Sequence, residues 1–193
     1  MILTATAPAA LNPVPIREFA AHLRLAEGFA DDTPEDALLD LYLRNATAAV
    51  ETRLAQTLIR RSFTLELGAW NRNGQLVLPV GPVAAIDSLR FLGADGPIEG
   101  DPTGIQVEPG RSRQRLSGAG GACLPAIPKG HTAELGFQAG YGESWNAVPD
   151  DLRQSVLLLA AHYFENRHAE ADQAAGIPYG VLALLEPHRP ARL

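Results

Sequence analysis

The hydrophobic period of this chain changes twice, and that change limits the possible fold more than any other feature. Apolar residues recur at helical spacing up to residue 57, alternate from residue 58, and return to helical spacing after Gly142. The pattern predicts an α+β fold: a helical bundle built from N- and C-terminal helices, with a small antiparallel β region inserted. The expected parts are an N-terminal helical part (1–57), a β-rich insertion (58–147), a C-terminal helical part (148–186) and an extended tail (187–193).

In the first part, Ile16, Phe19, Ala20 and Leu23 fall on one stripe behind Pro15, which suits a first helical turn. Asp31-Asp-Thr-Pro-Glu-Asp36 is a helix start: Thr33 caps, Pro34 takes the first turn, and the acids favour the positive end of the dipole. Leu38, Leu41, Tyr42, Ala46, Ala49, Val50 and Leu54 then form the expected buried stripe. In the insertion, Ser62–Leu67, Gln75–Leu78, Val83–Leu92, Ile105–Val107, Gln114–Leu116 and Thr132–Gln138 read as strands, with Gly and Pro between them. Ser117 to Ala122 reads as a plain mobile loop, and Gly140 to Ser144 as a turn into the next helix. Val148-Pro-Asp-Asp151 opens that helix. Its middle, through Leu152, Val156, Leu157, Leu158, Ala161 and Phe164, is apolar nearly all round. A helix apolar on every side must be covered on every side, and a neighbouring subunit is a natural cover.

Composition excludes several classes. With 46% apolar and 20% charged residues the chain is not a disordered one. A net charge of −6 does not suit a broad grip on nucleic acid. Cys123 is the only cysteine, so no intrachain disulfide and no cysteine-based zinc site are expected, and nothing argues against a reducing cytoplasm. The first residues lack a basic n-region, and no apolar run approaches the roughly 20 residues that span a bilayer, so no membrane partner is expected.

No assembled catalytic set emerges, and no catalytic, cofactor-binding or metal residue is assigned. His162, Glu165 and His168 stand at i, i+3 and i+6. His168 lies about 240° around the helix from His162, so one metal cannot easily take all three. A metal-dependent hydrolase using His162 and Glu165 is the alternative reading. Arg111, Arg113 and Arg115 alternate, and Arg60 and Arg61 are adjacent. Each suits a phosphate or a partner carboxylate, or simply a solvated strand face. Trp70 and Trp145 read as core or loop anchors.

An ordered set of short segments goes further. It comprises His22-Leu-Arg-Leu25, Asp31 to Asp36, Ala48-Ala-Val-Glu-Thr-Arg53, Phe63-Thr-Leu65, Trp70, Leu78-Pro-Val-Gly-Pro-Val83, Ala139-Gly-Tyr-Gly142, Val148-Pro-Asp-Asp-Leu-Arg153, His162-Tyr-Phe-Glu-Asn-Arg167, Ile177-Pro-Tyr-Gly180 and Leu184-Leu-Glu-Pro-His-Arg189. Taken together they resemble the head-tail connector (adaptor) family of long-tailed phages, prophages and gene transfer agents. The resemblance implies a non-enzymatic, ring-forming subunit made in the bacterial cytoplasm and placed in the virion neck. The ring, usually of twelve copies, would sit beneath the portal protein, meet a stopper or tail-completion protein, and leave a lumen through which DNA passes without specific binding. It also implies that Pro187, His188, Arg189, Pro190, Ala191, Arg192 and Leu193 dock on the portal. The other neck components, stopper and tail terminator, are alternatives.

Overall fold

The computed structural model describes residues 1–6, 16–25, 34–110, 113–166 and 176–189. The chain divides into two compact units: Met1–Ala9 with Ala55–Glu143, and Ala10–Leu54 with Ser144–Leu193. The fold is mixed α+β, with four α-helices and two antiparallel sheets among the described residues. None of these helices is long and apolar enough to cross a membrane.

The first unit is the β unit. Its strands are β1 (Ile2–Ala5), β2 (Arg61–Leu67), β3 (Leu76–Val77), β4 (Val83–Gly93), β5 (Gly96–Gly100), β6 (Ile105–Val107), β7 (Arg115–Gly118) and β8 (Thr132–Ala139). They form a five-stranded sheet in the order β1-β2-β8-β4-β5 and a three-stranded sheet in the order β3-β7-β6. Alternation decides the faces: Phe63, Leu65 and Leu67 of β2 face the core with Ala133, Leu135, Phe137 and Ala139 of β8. Phe63 stacks on its cross-strand partner Phe137, with ring centroids 5.5 Å apart. Leu76, Leu78, Leu116 and Leu124 join the same core.

Two strands fall outside the sequence expectation. β1 pairs with β2, Leu3 opposite Leu65, but four mostly exposed residues carry no readable alternation. β5 follows β4 through a tight turn at Ala94-Asp95, with Gly96 at a φ of +106°. Pro97 and the glycines around it hid this strand. Ser117 and Gly118, expected in a mobile loop, belong to β7. A Cβ on Gly118 would lie 2.6 Å from the Cys123 carbonyl oxygen, so the glycine permits a close approach of two backbones.

The second unit holds α1 (Ile16–His22), α2 (Pro34–Leu54), α3 (Asp150–Glu165) and α4 (Tyr179–Leu185). α2 starts at Pro34 as expected; Thr33 and Pro15 lie outside the described residues. The buried stripe of α2 is Leu39, Leu43, Ala46, Val50 and Leu54, whereas Leu38 and Leu41 are exposed. The helix carries leucines on two adjoining stripes, both at spacings of three and four, and packing selects the stripe one position along. Asp40 and Arg44 pair on the exposed side.

Truncation should separate core from surface. Leu135→Ala, at a site 1% exposed, is expected to destabilise the protein by about 2–5 kcal/mol. Ile98→Ala, at an exposed site, should stay within about 0.5 kcal/mol. Urea denaturation of both variants checks the contrast; equal losses would contradict the assigned core.

Candidate functional site

The residues singled out by sequence lie mainly in α3 and in the segment after α4. Within their unit, α3 packs against α2, α4 and α1. Leu152, Val156, Leu157 and Ala161 are buried within the chain itself. These four side chains pack against their own unit, which leaves the half-buried remainder of the helix as the surface available to a second copy. Leu158 and Phe164 are half-buried. Phe164 meets the Tyr42 ring edge-on at 5.9 Å.

The C-terminal segment also departs from expectation. Pro187 and His188 were expected in an extended tail. Instead Glu186–His188 form a 3₁₀ turn continuing α4, and His188 is only 4% exposed. Its Nε2–H donates to Asp151 Oδ2 at 2.5 Å. Asp151 stands in the first turn of α3, where the helix dipole favours a carboxylate. Burial works to raise the Asp151 carboxyl. The hydrogen bond and charge of His188, with the Leu152 N–H 2.9 Å away, outweigh it and hold the group below its ordinary value. Arg189, the last described residue, is exposed and pairs with Glu186 at 3.0 Å. Pro190, Ala191, Arg192 and Leu193 lie outside the described residues.

A cleft of about 320 Å³ opens between α2 and α3, lined by Tyr42, Asn45, His162, Tyr163 and Asn166. Asn166 donates to the His162 carbonyl at 2.8 Å and lies 3.0 Å from His162 Nδ1. That contact makes Nδ1 the acceptor and leaves the proton on Nε2, which is buried without a partner among the described residues. Burial pushes the Tyr163 hydroxyl up. Glu165 is exposed, and His168 lies outside the described residues. His162 is thus tied to Asn166, a partner the metal reading did not include. No group of three or more His, Cys, Asp or Glu is gathered among the described residues.

The remaining singled-out residues serve the two units separately. Trp145 is buried and donates to Glu18 Oε2 at 3.2 Å, fixing the approach to α3. Trp70 donates to the Pro125 carbonyl at 2.8 Å. Gly140 has a φ of +133°, and a Cβ there would lie 2.4 Å from the Arg60 nitrogen, so only glycine fits where β8 ends. Cys123 is an exposed free thiol.

These polar groups hold elements of the chain to one another. Comparison with known proteins names the assembly. The chain is similar over its whole length to a chain in the neck of an empty gene transfer agent (GTA) particle computed with C6 symmetry, at 44% identity and a TM-score of 0.87, covering 97% of that chain. It is 43% identical to a chain of the native GTA virion, with a TM-score of 0.83, and 40% identical to one in the native GTA neck computed with C12 symmetry, with a TM-score of 0.81; both matches cover all of this chain and 97% of the other. No family model and no curated protein matches the chain. The chain belongs to the family of neck proteins of gene transfer agent particles.

The His188–Asp151 pair has a testable pH signature. A carboxyl held below its ordinary value of 3.8 contributes stability above that value and loses it as the pH falls through the depressed one. Wild-type protein should therefore lose stability more steeply on acidification below about pH 5 than Asp151→Asn, as read by denaturation midpoints across pH. Parallel profiles would show that the pair contributes nothing.

Proposed function

We propose that this protein is the head-tail connector, or adaptor, subunit of a gene transfer agent or related phage-like particle. In this reading copies assemble into a ring, twelve in number, beneath the portal. The ring joins capsid to stopper and tail and leaves a channel for DNA. The observation that carries it is the full-length likeness, at 44% identity, to a chain solved in the neck of such a particle. The role is structural, and its location is the neck.

The subunit contact expected at α3 passes, in this proposal, to the surfaces its own unit leaves open. These are Leu158 and Phe164, half-buried on α3, and Leu38 and Leu41, exposed on α2. Apolar side chains of this kind suit a contact between copies. The portal contact is placed at the end of the chain, from Arg189 through Pro190, Ala191, Arg192 and Leu193. His188 is read as the anchor from which that segment departs, since it is buried and hydrogen-bonded. Arg189 and Arg192 would pair with portal carboxylates, and the prolines would limit the entropy lost on docking.

The anchor and the docking segment separate experimentally. Deleting residues 190–193 is expected to leave the denaturation midpoint unchanged and to abolish co-sedimentation with portal rings. His188→Ala should lower the midpoint. Normal portal attachment by the truncated chain would overturn the docking assignment. Copy number in isolated necks tests the adaptor role: twelve per particle is expected, and six would favour a stopper or terminator.

A further inference from the structure

The basic residues left aside above converge at one end of the β unit. β2 begins at Arg61, which stands opposite Ala139 at the end of β8, and Ala139 stands opposite Val83 at the start of β4. Arg60, exposed, precedes this row, and its N–H donates to the Gly142 carbonyl at 2.7 Å. The loop between β6 and β7 is tied to the same end by Gln114, which is 7% exposed. Its Oε1 accepts the Val83 N–H at 2.6 Å, its Nε2 donates to the Glu108 carbonyl at 3.2 Å, and its own carbonyl accepts the Leu78 N–H at 2.9 Å. A buried glutamine bonded twice through its side-chain amide and once through its backbone carbonyl fixes the loop and turns its two neighbours outward. Arg113 is exposed at a φ of 51°, and Arg115 is exposed with its nearest carboxylate, Glu108, 3.9 Å away.

Four of the chain's 16 basic residues, Arg60, Arg61, Arg113 and Arg115, thus belong to this end, in a protein of net charge −6. Glu108 lies 3.9 Å from Arg115, and the exposed Glu143 and Asp87 belong to the same end, Asp87 accepting from Gln138 opposite Ser62. A protein partner would look for an apolar centre with a polar rim. Here Val77, opposite Arg115, is the single exposed large apolar side chain among the described residues of this end. A duplex backbone fits better: it presents a charge about every 1.7 Å of its axis, so exposed guanidiniums find phosphates in any register and no base is read.

We propose that this end of the β unit, carried by Arg60, Arg113 and Arg115, is a sequence-independent contact for the phosphate backbone of double-stranded DNA. A contact of a few charges on an otherwise acidic protein is weak and exchanges quickly, as a moving duplex requires. The proposal rests on the neck reading only for the source of the duplex. The contact itself belongs to the chain and is measured without a particle.

The test uses the full-length protein and a short blunt DNA duplex of random sequence, followed by fluorescence anisotropy at several salt concentrations. Wild-type protein is expected to bind at low salt and to weaken as salt rises. The double variant Arg113→Asn, Arg115→Ser keeps a residue tolerant of positive φ at 113. It should weaken binding about tenfold and reduce the salt slope by about 2. A charge-matched control, Arg44→Ser with Arg53→Ser, both exposed on α2, should stay within about twofold. Unchanged denaturation midpoints exclude misfolding as the cause. Three results would overturn the proposal: no DNA binding by wild type at low salt, an equal loss in the control, or binding of poly-glutamate with DNA inert. None of these bears on portal attachment or copy number, so the neck reading stands or falls separately.

Discussion

Strand β8 has a hydrogen-bonded partner on each side along nearly its whole length, β2 on one and β4 on the other. The five-stranded sheet is assembled around it, and its Leu135 and Phe137 form the middle of the β core. At its end Gly140 takes a backbone conformation closed to other residues and passes within contact of Arg60. Tyr141 then hydrogen-bonds Gln56 at 2.7 Å, an interaction between buried or half-buried groups 85 residues apart. One strand and one glycine thereby bring the chain's early and late segments together at one end of the sheet. The same row of residues supports Arg60 and, through Gln114, the arginine loop.

Much of this was legible because burial leaves a periodic trace. β2, β4 and β8 are long enough for alternation to show, and the acids and prolines that open α2 and α3 stand where dipole and backbone chemistry place them. β1 and β5 were not legible. Four exposed residues and a Gly-Pro segment carry no period, and both strands exist because a neighbouring strand offers an open edge. On α2 two leucine stripes satisfied the same spacing in the first turns, so the sequence reading took Leu38 and Leu41 in place of Leu39 and Leu43, while Ala46, Val50 and Leu54 are buried as expected. On α3 the apolar residues were identified correctly, but periodicity cannot say whether a helix is covered by its own chain or by another copy.

The polar residues divide in the same way. His162 drew notice for the acid and histidine near it, yet its partner is Asn166, one turn on and chemically unobtrusive. His188 drew notice only as part of a proline-flanked tail. Its partner Asp151 lies 37 residues earlier, and no local pattern encodes such a pairing. The consequence for function is specific. In the proposed arrangement the portal-docking segment departs from a point that the His188–Asp151 contact holds in place.

The family assignment and the local physics converge on one architecture: a two-unit structural subunit whose helical unit fixes the departure of its C-terminal segment. The most direct measurement is a cryo-electron microscopy reconstruction of the neck of the particle that carries this chain. The account predicts a ring of this fold between portal and tail, with the residues after Arg189 seated on the portal. A neck in which another chain fills that level, or in which this chain is absent, would contradict it.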